Sequence, residues 1–98
     1  MLAPNVVEVA RRIGLFYLQK NSQDYAKTEK ELTDLRISKI EVDVKNVTVY
    51  VSHVGLFIGR RGENIGKLSK FLKLEVKIVE DRDSIYDALI PRKLEDYL

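Results

Sequence analysis

In the stretch His53-Val54-Gly55-Leu56-Phe57-Ile58-Gly59-Arg60-Arg61-Gly62-Glu63-Asn64-Ile65, Gly59 and Gly62 bracket two arginines. An apolar run ends on the first of these glycines, and a helical pattern opens just past the second. Glycine at both ends admits positive φ and removes the Cβ atoms that hold a ligand away from the backbone. A loop of this build runs into a helix N-terminus, whose unpaired N–H groups and positive dipole end favour an anion. Arg60 and Arg61 add planar guanidinium groups suited to phosphate oxygens. The chemistry points to phosphate.

The rest of the chain supplies a scaffold for that loop. Asn5 and Glu8 form a capping-box pattern, and Val6, Val9, Ala10, Ile13, Phe16 and Tyr17 recur at helical spacing, which predicts a helix over 5–20. Gly14 inside it suggests a close helix-sheet contact, and Arg11 and Arg12 read as a solvated face. Residues 21–27 carry a loop signal, and Thr28 with Glu31 predicts a short helix over 29–35. From Ile37 the period changes to two. Ile40, Val42 and Val44, then Val47, Val49 and Val51, give a hairpin over 37–52 that turns near Lys45-Asn46, with Asn expected to take the left-handed turn conformation. The segment 54–73 reads as helix, GRRG loop, helix, and 75–80 as a third strand, parallel to its neighbour because a helical crossover joins them. Residues 84–98 form an acidic helical tail.

Length and charge bound the function. Ninety-eight residues, 45% hydrophobic and 33% charged, suit one domain, 1–98, with one core. No cysteine is present, so no disulfide framework or Cys-based zinc site exists, and no metal or cofactor is expected. No apolar run approaches a bilayer span and no signal-peptide pattern opens the sequence, so a cytoplasmic protein without a membrane partner is expected. The net charge of +2 is uneven: Arg60, Arg61, Lys67, Lys70, Lys73 and Lys77 make one region basic, while Glu80, Asp81, Asp83, Asp87, Glu95 and Asp96 make the tail acidic.

The run Val54-Gly55-Leu56-Phe57-Ile58-Gly59-Arg60-Arg61-Gly62-Glu63-Asn64-Ile65 resembles the signature of the KH domain, in a form most similar to the NusA-like, prokaryotic members. With the extra helix and strand ahead of the signature, the chain resembles the type II arrangement from residue 5 to about 80. The resemblance implies an α+β fold: a three-stranded mixed sheet with helices packed on one face, in the order αββααβ, plus the short helical tail. It also implies single-stranded RNA as partner, with single-stranded DNA as an alternative, and a role in transcription, translation or RNA processing. The backbone of Gly59 to Gly62 would clamp about four nucleotides. Arg60 and Arg61 would neutralise phosphates, Lys67 and Lys70 would extend the basic rim, Ile58 and Ile65 would contact bases, and Asn64 completes the binding set. Val54, Leu56, Leu68, Val76 and Ile78, with the same two isoleucines, would supply the base groove or the core beneath it. Gly66 departs from the family pattern, which places a longer polar side chain there, and no glycine ends the helix before Leu74.

Other chemistries fit less well. Gly62-Glu63-Asn64-Ile65-Gly66-Lys67-Leu68 falls one residue short of a nucleotide-binding P-loop and has leucine where the magnesium-binding hydroxyl belongs. His53 has no serine or carboxylate partner in a motif, so no catalytic residue is assigned and the chain is not expected to be an enzyme. Glu80, Asp81 and Asp83 lack the glycine and terminal glutamate of a calcium loop. Tyr50 reads as cover on a sheet face, and Tyr86 and Tyr97 lie in the acidic tail, where nucleic acid is repelled, so none is taken as a base-stacking platform. The competing function is a protein-interaction module that uses the acidic tail.

Overall fold

A computed structural model describes residues 5–81 and Tyr97. Its elements are α1 (Val6–Lys20), α2 (Tyr25–Leu35), β1 (Ile37–Val42), β2 (Asn46–Val51), α3 (Val54–Ile58), a 3-10 turn (Arg60–Gly62), α4 (Glu63–Leu72) and β3 (Glu75–Glu80).

The helix starts follow from their caps. Asn5 Oδ1 accepts the Glu8 N–H at 2.7 Å and opens α1. Val9, Ala10, Ile13, Phe16 and Tyr17 then form its buried stripe. The second helix begins earlier than the Thr28 pattern suggests, because Asp24 is the cap, its carboxylate accepting the Lys27 N–H at 3.0 Å. Thr28 is instead a buried residue inside α2, whose hydroxyl donates to the Asp24 carbonyl at 2.7 Å and accepts from Asn21 Nδ2 at 3.2 Å. Residues Ser22 and Gln23 make the tight link between the helices with φ of +54° and +65°, a conformation that the sequence does not announce with a glycine.

The sheet order is β1-β2-β3, with β1 and β2 antiparallel and β2 and β3 parallel, as expected of a hairpin followed by a helical crossover. Val47, Val49 and Val51 of the central strand are fully buried, and Val47 and Val49 pair with Val76 and Ile78 across the parallel ladder. A bulge between Ile37 and Lys39 shifts the register, so that Ile37 and Ser38 are both buried before alternation resumes. At the hairpin tip neither Lys45 nor Asn46 takes positive φ. The turn is held instead by the Asp43 carboxylate, which accepts the Val44 N–H at 2.6 Å, and Val44 is exposed rather than part of a strand.

The molecule is α+β, and its helices lie on one face of the three-stranded sheet. One core joins Val9, Ile13 and Tyr17 of α1, Leu32 and Leu35 of α2, the sheet valines, Phe57, Leu68 and Leu72. Tyr97 belongs to the same core. What Gly14 meets most closely is this tyrosine: a Cβ at Gly14 would lie 2.6 Å from the Tyr97 Cβ. The other expectations for residues 84–98 lie outside the described residues. Among the described residues no helix is long and apolar enough to cross a membrane.

Candidate nucleic-acid interface

The short helix α3 delivers the chain to Gly59, whose N–H closes that helix on the Gly55 carbonyl at 3.0 Å. Gly59 then turns away with φ +78°. Arg61 and Gly62 follow at φ +57° and +73°, and α4 begins at once. Three left-handed or extended-positive residues within four positions reverse the chain in one 3-10 turn and leave both arginine side chains exposed. Neither arginine has a carboxylate partner among the described residues. No side-chain cap covers the start of α4, because its N-cap is Gly62. Two cationic side chains thus flank a helix N-terminus with no side-chain cap, which is an anion-binding arrangement.

The two glycines are required for different reasons. At Gly62 an added Cβ would meet only open space, so only the positive φ disfavours other residues. At Gly59 the Cβ would also lie 2.6 Å from the Asn64 Cβ and 3.0 Å from its backbone nitrogen. The loop therefore closes on its own helix, and a side chain at Gly59 would force it open.

Asn64 is where the structure departs most from a surface role. It is buried, and its Nδ2 donates to the Tyr17 hydroxyl at 2.8 Å and to the Phe57 carbonyl at 2.7 Å. The amide cannot be reversed, since the Phe57 carbonyl only accepts. Its Oδ1 is then left buried with no partner, a cost accepted in exchange for tying the end of α3, the start of α4 and α1 together. Burial pushes the Tyr17 phenol well above its ordinary value, and the bond from Asn64 offsets only part of that.

Gly59, Arg60, Arg61 and Gly62 stand together at the tip. Ile58 is half-buried beside them, and Ile65 and Ile78 are partly buried against the core. Leu68 and Val76 are core residues, and Leu56 is exposed. Lys67 and Lys70 are exposed on α4 but lie away from Ile65. At about 100° per residue, Lys67 stands roughly 200° around the helix from it. Both lysines line a cleft against α1, with Phe16, Gln19, Lys20 and Phe71. Lys67 also pairs with Glu63 at 2.9 Å, and that hydrogen bond holds the Glu63 carboxyl below its usual range. The helical spacing of Lys67 and Phe71 carries a signal for this cleft, but Phe16 and Lys20 could be joined to it only through the packing of α1 on α4.

His53 lies at the start of α3, exposed, with Nδ1 hydrogen-bonded to the Asp34 carbonyl. Tyr50 covers the sheet face opposite the helices, where its hydroxyl donates to Glu41. That bond raises its pKa.

A family model described as KH domain matches residues 25–86, well over half of the chain. The match begins at α2, so α1 lies ahead of it, whereas the resemblance in the sequence was expected from residue 5. No curated protein and no solved structure matches the chain. With the described helix and strand preceding the glycine loop in the type II order, the chain belongs to the KH domain family, whose members are single-stranded RNA-binding modules.

Proposed function

We propose that the chain binds single-stranded RNA at the GRRG turn, with the backbone from Gly59 to Gly62 against the sugar-phosphate chain. Arg60 and Arg61 neutralise phosphates, and Ile58 and Ile65 meet unstacked bases. The observation that carries this reading is the turn itself: positive φ at Gly59, Arg61 and Gly62 sets two unpaired arginines beside a helix start with no side-chain cap. Single-stranded DNA presents the same phosphates and is the alternative ligand. A duplex, with its bases paired, fills an apolar groove poorly and competes weakly.

The test is the double change Arg60→Asp and Arg61→Asp, which keeps both glycines and alters exposed positions only. Affinity for a random single-stranded RNA pool falls at least tenfold, about 1.4 kcal/mol. The salt dependence also becomes shallower, by roughly 0.7 in log-log slope per lost phosphate contact. Unchanged affinity of the folded double variant, or equal competition by duplex RNA at matched salt, overturns the reading.

A further inference from the structure

The basic side chains of this molecule do not all serve the apolar side of α4. The cleft between α1 and α4 encloses about 600 Å³ and is lined by Phe16, Gln19, Lys20, Lys67, Lys70 and Phe71. Its volume suits a nucleotide-sized occupant. Phe71 is 36% exposed, and its ring lies 5.7 Å from the buried ring of Phe16. The cleft is continuous with the loop: a smaller concavity of about 210 Å³, reaching Gly59 and Arg60, shares Lys20 and Lys67 with it.

Three lysines around a partly exposed aromatic ring form a surface for a base and its phosphate. Glu31 answers Lys20 at 3.2 Å and Glu63 answers Lys67 at 2.9 Å, both on or near the surface. Such exposed pairs are weak and yield readily to a phosphate. Lys70 has no carboxylate partner among the described residues, nor does Arg60 at the loop end. With both glutamates counted, the track keeps a net positive charge.

We infer that the α1–α4 cleft is a second nucleotide subsite, which takes the part of a single-stranded RNA that continues past the GRRG turn. A base stacks on Phe71, and the adjoining phosphates lie between Lys20, Lys67 and Lys70. This rests on the proposed binding at the loop, because the strand enters the cleft from Arg60. Half of the cleft wall comes from α1, which lies ahead of the family match, so the track adds to what the matched stretch provides. The helix α4 divides the two surfaces, with Ile65 on one flank and Lys67, Lys70 and Phe71 on the other.

The experiment compares fluorescently labelled random RNA pools of four and eight nucleotides on the intact chain and three variants. Phe71→Leu keeps apolar volume and removes the aromatic face. Lys70→Glu reverses an exposed, unpaired charge. The Arg60→Asp and Arg61→Asp double variant reports on the loop. The four-nucleotide pool is filled by the loop and groove alone. Phe71→Leu therefore leaves its affinity within twofold and lowers that of the eight-nucleotide pool at least fivefold, the lower end of what one lost stack produces. Lys70→Glu, whose charge also belongs to the rim expected of the loop, lowers the affinity of the eight-nucleotide pool more than that of the four-nucleotide pool. The loop variant lowers both. If the loop variant changes neither pool, the proposed binding at the loop fails first. If it lowers both while Phe71→Leu and Lys70→Glu lower neither, or lower both pools alike, the second subsite is overturned and the cleft is left to a protein partner. As a measure independent of affinity, 5-bromouridine placed in the last four positions of an eight-nucleotide RNA crosslinks to the peptide containing Phe71. Crosslinks confined to other elements overturn the proposal as well.

Discussion

The side-chain amide of Asn64 reaches the Tyr17 hydroxyl at 2.8 Å and so fixes the start of α4 to α1. Because the same amide also holds the Phe57 carbonyl, the turn between them is braced at both ends by one residue. Truncation to Asn64→Ala leaves two buried groups without their donor and costs about 1–3 kcal/mol or more. Tyr17→Phe removes only one of the two bonds and costs less. In a double-mutant cycle read by urea unfolding, the two changes couple by about 0.5–3 kcal/mol. Additive losses would show that the bond contributes nothing to the brace.

Gly14 and Tyr97 make the second long-range prediction. In a helix interior, Gly→Ala ordinarily gains about 0.8–1 kcal/mol. Here the new methyl meets the Tyr97 Cβ at 2.6 Å, close to the backbone and unable to swing aside. Overpacking of that kind costs about 1–3 kcal/mol. Gly14→Ala therefore lowers Tm in the full chain, by ~4–8 °C for each net kcal/mol in a domain of this size. In a chain ending at residue 96, which lacks the tyrosine, the same change raises Tm. A rise in both backgrounds would mean that Tyr97 does not pack against α1 in solution.

The third prediction concerns alkaline pH. Tyr17 is buried, and its folded pKa stands above the ordinary phenolic value, mainly because burial penalises the phenolate. Below about pH 10 both folded and unfolded states keep the proton, and the stabilisation is fully present. As pH rises further the unfolded chain ionises first, so stability falls by up to about 1.4 kcal/mol per pH unit for this one group. Tyr17→Phe lowers the starting stability but removes that one-proton slope between pH 10 and 12. The comparison is made on slopes of unfolding free energy, since Tyr50, also shifted upward by its bond to Glu41, contributes equally to both proteins. Identical slopes would show that the Tyr17 hydroxyl is not sequestered.

The features that could be read from the chain are those encoded within a few residues. Asn5 caps α1 because its side chain reaches an N–H three residues on, and Val47, Val49 and Val51 alternate because a strand must turn one face to the core. The glycines of the loop announced the left-handed conformation, and the crossover announced the parallel strand. At the start of α2 the Thr28–Glu31 pattern placed the cap four residues too late. Thr28 became a core residue by packing against Asn21, and Asp24 was left as the cap.

Tertiary structure decided the rest. Whether Asn64 faced solvent or the core depended on Tyr17, 47 residues away, and nothing near Asn64 in the sequence distinguishes the two outcomes. Gly14 looked like a contact with the sheet until the far end of the chain supplied Tyr97. Lys67 and Lys70 were identifiable as exposed cations, but the cleft they line followed from the packing of α1 on α4. Periodicity specifies which side chains share a helix face. Only the packing of neighbouring elements specifies what that face meets, because the hydrophobic force that brings them together is non-directional and acts on the summed apolar area.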